Sequence, residues 1–550
     1  MRTLILGATA LALAAAPLPQ SASASAPTQS APVATLTAEQ WRADLAFMAA
    51  EMERRHKNLY HEVSRERFAA AVADLHARIP TLRRNQIIVG LMRIAAMVGD
   101  GHTRIEPLKD AKFGFPSLPL KLYLFEDGLY VRAAAPAQAR LVGARVEAIG
   151  GVPVAEAIRR ASEISAAENG IGPKLYVPIF LAMPDILHAL RLSDRSDAAT
   201  LSLSKGKRRW TVTVPAGQID PSWPPDTDIS LVTPDGWVDA RAAPRPPLWL
   251  QAPLDYHRLV DLPERKALYA QLNMVTNIEG QTLGDYGRKI RERAEATNPR
   301  AVILDLRLNR GGNGNLRNDF VAELIKAEDE DTRLFVLTWR GTFSASQFIL
   351  DDLDRLSGAV VIGEPASSRP TSYGDGYRMM LPNSGMTARA SILYWQAGQN
   401  DDPWTWVDIA APLSFAAYAA GRDPALEAAL AYVPRPTLRD QVAAAAGAGG
   451  VAAVLRTAEA WRADPANRYA DTELQMILAA QGLGKAHPAE AIALAELAAR
   501  HHPRSVDTFN VLAHLAEAAG RAEQAREAGR RALALEPNDR AVRALLERLN

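Results

Sequence analysis

Ala301-Val302-Ile303-Leu304-Asp305-Leu306-Arg307-Leu308-Asn309-Arg310-Gly311-Gly312-Asn313 is the stretch from which the fold of this chain can be read. It opens on an almost unbroken apolar run, and such a run, unlike an alternating one, belongs to a strand buried on both faces. Two more runs follow, Leu334 to Thr338 and Ala359 to Gly363, with helical patterns starting near Leu316 and Ala345 between them. Apolar strands separated by helices predict an α/β core with a largely parallel sheet, over residues 248–435. The paired glycines that end the quoted stretch permit close backbone approach to a bound group.

Outward from this core the pattern changes several times. Met1-Arg2-Thr3, an apolar run from Leu4 to Leu18 and the small residues before Ala26 read as a secretory signal peptide over 1–26, so the protein is expected to be exported, periplasmic or extracellular. A membrane anchor needs about 20 apolar residues, more than this run supplies, and no other segment is apolar enough to span a bilayer. Residues 33–110 carry helical spacing through Trp41, Leu45, Met48, Met52 and Leu75, an N-terminal helical cap. Residues 111–219 show strand grammar. Within them, Leu141 to Val154 reads as a strand, a Gly150-Gly151 turn and a following helix starting near Ala155, which resembles part of a PDZ domain, the alternative being an ordinary β-rich insert. The Pro- and Trp-rich 220–247 is a linker or arm. From 441 to 550 the chain is alanine-rich and helical, with Pro503/Pro537, Ala491/Ala525 and Ala498/Ala532 each 34 residues apart, the tetratricopeptide period.

The 63 basic and 62 acidic residues nearly cancel, which argues against a nucleic-acid binder. The absence of cysteine excludes disulfides, a thiolate nucleophile and Cys-metal sites. No HExxH or clustered ligand spacing suggests a metal, and Gly311-Gly312-Asn313-Gly314 lacks the Lys-Ser/Thr of a phosphate loop, so no cofactor is expected.

Serine chemistry needs a hydroxyl at a sharp turn, a base, and backbone N–H groups aimed at the developing oxyanion. Arg340 to Gln347 lies between a strand and a helix, making Ser344 the candidate nucleophile and the Ala345 N–H one oxyanion donor; Gly311 or Gly312 would supply the second. Taken alone, Ser-Ala-Ser there could merely cap a helix.

Gly99-Asp100-Gly101-His102-Thr103, Asp305 to Asn313, Thr342 to Gln347, Gly363-Glu364-Pro365 and Leu381-Pro382-Asn383-Ser384-Gly385 together resemble, in order and spacing, the tail-specific, or C-terminal-processing, serine peptidases, on their tricorn-core and retinoid-binding-protein side. The resemblance covers about 40–433 and implies a ClpP/crotonase-like core. It offers two bases. The lysine of the tail-specific branch is replaced by Arg369, 25 residues after Ser344, and a guanidinium cannot accept a proton. The histidine of the tricorn-like branch matches His102, and imidazole suits general-base work near neutrality. Gln347 stands where the lysine branch commonly has Glu. For the orienting acid Asp402 is favoured, with Asp408 and Glu364 as competitors. The resulting expectation is an exported serine peptidase acting on peptide or protein substrates, with the repeats contacting a protein partner; the alternative is an inactive peptide- or lipid-binding protein on the same fold.

Overall fold

The computed structural model describes residues 35–105, 115–217, 231–243, 245–396 and 402–549. The leader expected over 1–26 lies outside them, as does the first part of the 220–247 arm.

The strand at Ala301–Asp305 sits inside a six-stranded sheet ordered Ile409–Ala410, Val360–Gly363, Arg333–Thr338, Ala301–Asp305, Ala267–Leu272, His257–Leu262. Each neighbouring pair is parallel except the last, which is an antiparallel hairpin. All five residues of Ala301–Asp305 are buried, and their alternation explains the continuous apolar run. Val302 and Leu304 cluster with Ile290, Phe320 and Ile349 of the helices Leu283–Thr297, Arg317–Lys326 and Ala345–Leu356. Ala301 and Ile303 cluster with Ala429 of Pro424–Leu430 on the other side. Truncating a fully buried residue such as Leu304 to Ala would cost about 2–5 kcal/mol. Parallel strands point their carboxyl ends the same way, so the loops after Asp305, Thr338 and Gly363 emerge on one edge, where sheets of this kind carry their sites.

The N-terminal segment forms helices Ala38–Arg55, Arg65–Arg78 and Arg84–Ala96. Thr37 starts the first through a capping box with Gln40, and Trp41, Leu45, Met48 and Met52 form its buried stripe. An antiparallel sheet follows, ordered Leu120–Phe125, Gly128–Ala134, Arg145–Ile149, Ala198–Lys205, Arg208–Pro215. Gly150 turns at φ +56°, where a Cβ would lie 1.9 Å from the Leu192 carbonyl oxygen, and the next helix begins at Val154. In the described part of the arm, Val238–Asp239 pairs with Gly128–Ala134, and buried Arg132 donates to Leu231 O and Val232 O, 3.1 Å each.

One element that the strand pattern did not reveal is a long antiparallel ribbon, Thr371–Met380 with Thr387–Gln396, running out of the core. Its turn contains Leu381 to Gly385, and buried Asp44 accepts from Asn383 N–H and Ser384 N–H at 2.8 Å each. An Ile105–Ala388 bridge and an Arg389 N–H to Arg104 O bond of 2.8 Å join the ribbon to the segment after His102.

Beyond Thr437 the helices are Leu438–Ala463, Thr472–Leu483, Pro488–His501, Val506–Ala518, Ala522–Leu535 and Arg540–Leu549. Those starting at Thr472, Val506 and Arg540 begin 34 residues apart, as do those at Pro488 and Ala522. Small residues such as Ala479, Ala491, Ala495 and Ala498 are buried between them, which lets helices approach closely. The tail touches the core through residues 465–469: Val407 N–H donates to Tyr469 O at 3.1 Å, and Arg468 pairs with Glu126 at 2.7 Å. No helix among the described residues is long and apolar enough to cross a membrane.

Candidate active site

Ser344 occupies the N-cap of Ala345–Leu356 with φ +61° and ψ −128°. A non-glycine residue there costs about 1–3 kcal/mol, which the surroundings must impose. They do so through buried bonds: Thr342 Oγ1 donates to Leu306 O at 3.0 Å, Phe343 N–H to Asn309 O at 3.1 Å, and Ser344 N–H to Ser368 Oγ at 2.9 Å. Ser346 is fully buried, and its hydroxyl donates to Asn309 O at 2.8 Å and accepts from Phe343 N–H at 2.9 Å, a brace for the turn.

His102 Nε2 lies 3.1 Å from Ser344 Oγ, although the two are 242 residues apart. Its loop is shaped by Asp100, whose Oδ1 accepts from His102 N–H (2.8 Å), Thr103 N–H (2.6 Å) and Ser391 Oγ (2.8 Å). Asp100 Oδ2 sits 2.8 Å from His56 Nε2. Asn58 N–H donates to His56 Nδ1 at 3.0 Å, so the His56 proton is on Nε2 and is given to Asp100. Burial pushes the Asp100 carboxyl up, but the bonds from His56, Thr103 and Ser391 outweigh it and hold it down at about 2. The imidazole of His102 stacks on Phe343 at 4.6 Å, and a Cβ on Gly101 would come within 2.7 Å of that ring.

The carboxylate set against His102 Nδ1 is Glu168 and not Asp402, the acid favoured from the sequence: Glu168 Oε1 stands 3.5 Å away. Both atoms are buried, and among the described residues neither has another hydrogen-bond partner. At 3.5 Å the pair is just beyond hydrogen-bond length, a looseness common before substrate arrives. Arg369 N–H donates to Glu168 Oε2 at 2.9 Å and fixes the carboxylate from behind. Asp402 reaches this neighbourhood through its backbone, its carbonyl accepting from Arg369 Nε at 3.3 Å. The other two acids are engaged elsewhere. Glu364 is clamped by Arg340 (2.8 and 3.0 Å) and Lys174 (3.3 Å), whose charges hold its carboxyl below the usual range against the upward push of burial. Asp408 accepts from Val361 N–H at 2.8 Å, and burial raises its carboxyl.

Gly311 and Gly312 differ in what their N–H groups do. Gly311 N–H donates to Asn309 Oδ1 at 2.9 Å and is spent inside the loop. Gly311 still has to be glycine: φ is +102°, and a Cβ would lie 2.7 Å from Ser344 Cβ and 3.0 Å from Ala345 N. Among the described residues neither Gly312 N–H nor Ala345 N–H donates to a protein acceptor. Gln347 faces away, its amide donating to Asp351 Oδ1 at 2.7 Å and Thr405 Oγ1 at 2.5 Å. Arg369 Nη1 pairs with Glu62 at 3.3 Å. Among the described residues no His/Cys/Asp/Glu cluster could hold a metal ion.

Glu168 escaped the sequence reading because Ala167-Glu168-Asn169-Gly170 carries no motif and lies in the β-rich region, far in sequence from both Ser344 and His102. The one available signal was the Asn-Gly turn beside an acid, which marks a fixed loop but assigns no chemistry.

No family model matches the chain, and no curated protein matches it. Among solved structures it is similar to mature CPAF, with 14% identity over 70% of this chain and 94% of that one, at a TM-score of 0.44. It is also similar to the photosystem II D1 C-terminal processing protease, with 13% identity over 71% and 98% of the two chains and a TM-score of 0.33. The tricorn protease matches at 14% identity over 72% of this chain and 36% of that one, at a TM-score of 0.33.

Proposed function

We propose that the protein is a serine peptidase in which Ser344 is the nucleophile, His102 the general base and Glu168 the orienting acid. The observation that carries this reading is the 3.1 Å contact between His102 Nε2 and a Ser344 held in strained backbone. His102 takes the hydroxyl proton as Oγ attacks a substrate carbonyl, and Glu168 fixes the tautomer and stabilises the imidazolium. The oxyanion falls between the N–H groups of Gly312 and Ala345, with Gly311 allowing the approach. His102 then gives its proton to the leaving amine, and water resolves the acyl-enzyme by the same route.

Substrates in this reading are peptides or proteins, and the β-rich region, read as PDZ-like, and the 34-residue repeats are the surfaces that would select them. The N-terminal stretch read as a signal peptide supports export of this enzyme from the cytoplasm. Treatment of the full chain with a fluorophosphonate probe tests the chemistry: labelling lost in Ser344→Ala is expected. Labelling that persists in that variant, or a wild type inert to the probe and to a peptide library, would overturn it in favour of a binding protein on this fold.

A further inference from the structure

We infer that Asn169 is a positioning residue that sets the acid and the nucleophile in register; the inference rests on the hydrolase reading above. Glu168 and Ser344 come from separate parts of the fold, the first from a loop between the helices Val154–Ser162 and Gly172–Phe180, the second from the turn after Arg333–Thr338. A reacting constellation built from two bodies needs a tie between them, since a displacement of about 1 Å can cost about 10²-fold in rate.

The tie is visible in the bonds of one amide. Asn169 Nδ2 donates to Ala366 O at 3.1 Å, Ser368 O at 3.3 Å and Pro403 O at 2.8 Å. Its Oδ1 accepts from Ile171 N–H at 2.9 Å and Gly172 N–H at 3.2 Å, which anchors the side chain to the start of its own helix. Both halves of the amide are therefore used, and only Asn has a donor and an acceptor at this reach. The segment it grips, Ala366 to Arg369, touches both reacting groups. Ser368 Oγ accepts from Ser344 N–H at 2.9 Å, and Arg369 N–H donates to Glu168 Oε2 at 2.9 Å. Gly172 packs so closely here that a Cβ would lie 2.9 Å from Ala167 Cβ. Among the described residues none of the Asn169 side-chain hydrogen bonds goes to the Ser344 or His102 side chain. Its effect on the reaction passes through Ser368 and Arg369.

The loop also explains how a position that is lysine in the tail-specific branch can be arginine here. The part of Arg369 that serves Glu168 is its backbone N–H, so the side chain is released from chemistry and tied to Glu62 and the Asp402 carbonyl.

Asn169→Asp keeps the acceptor for Ile171 and Gly172 and removes the donors to the three carbonyls, which a carboxylate would repel. In the full chain it should lower kcat on a peptide substrate about 10- to 100-fold with KM within about threefold. A double-mutant cycle separates positioning from general damage: in a Glu168→Gln background, where there is no carboxylate to align, the same substitution should cost less than about threefold. Asn169→Ser, which keeps a smaller hydroxyl donor, should fall between the two and serves in the cycle if the Asp variant does not fold. Equal losses in both backgrounds, or a raised KM with kcat unchanged, would overturn the inference while leaving the hydrolase reading intact. A wild type with no Ser344-dependent labelling would overturn the hydrolase reading itself.

Discussion

Asp351 lies two turns into the helix that begins at the nucleophile, and it should make the protein less stable at neutral pH than in mild acid. The residue is 7% exposed, and its Oδ2 is buried without a partner. Its Oδ1 accepts from Gln347 Nε2 at 2.7 Å and from the Thr405 hydroxyl. Burial dominates these two bonds and pushes the carboxyl up to about 7 from an ordinary 3.8. Below pH 4 the folded and unfolded chains both carry the proton, and the group contributes nothing to the difference. Between pH 4 and 7 the unfolded chain ionises while the folded one does not, so stability falls by about 1.4 kcal/mol per pH unit, about 4 kcal/mol in all, and then levels off. Asp351→Asn removes this loss and replaces the unpartnered Oδ2 with a donor. Urea unfolding followed by tryptophan fluorescence should show the variant about 2–4 kcal/mol more stable than wild type at pH 8 and within about 1 kcal/mol at pH 4.5. A gain of the same size at both pH values would refute the electrostatic argument, and a loss at pH 8 would show that the ionised carboxylate is needed.

Glu168→Gln should preserve the fold and lower kcat by about 10²- to 10⁴-fold, read in steady-state hydrolysis, because an amide no longer stabilises the imidazolium; Asp402→Asn should stay within about threefold of wild type. For Asp100, held at about 2, the sign is the reverse of Asp351: its contribution of about 2–3 kcal/mol is present above pH 4 and lost as pH falls from about 4 to 2. Asp100→Asn should flatten acid unfolding in that window and reduce activity by loosening the His102 loop. A chain ending at Arg439 would lose two ties to the core, since the Tyr469 carbonyl accepts from Val407 N–H and Arg468 pairs with Glu126. Such a truncation should therefore lower the melting temperature of the remaining core by several degrees, measured by scanning calorimetry.

What could be read from the sequence was whatever a short contiguous pattern encodes. The Ala301–Asp305 strand, the helix starting at Ala345 and the 34-residue spacing of the tail helices are local or periodic, and the residues themselves state them. Ser344 and His102 stood in recognisable motifs, and the structure brings their side chains together. Glu168, the acid of the proposed site, did not follow, because it is set against His102 by a loop packed against Ala366 to Arg369, a relation without a sequence period. The choice between Gly311 and Gly312 was likewise unreadable: it turns on whether the Asn309 side chain curls back to take one N–H. The Thr371–Gln396 ribbon was missed for another reason. Its positions mix buried and exposed residues without clean alternation, and only its turn motif stood out.

That ribbon has a consequence for how the chain comes into being. His102 lies before residue 105, Ser344 follows 242 residues later, and the strands that clamp the His102 loop end only at Gln396. In the proposed hydrolase, a growing polypeptide would therefore complete the setting of His102 against Ser344 only when nearly three quarters of it had been made. In that proposed enzyme, two separately expressed pieces that divide His102 from Ser344 would each be inert, and only their association would rebuild the site.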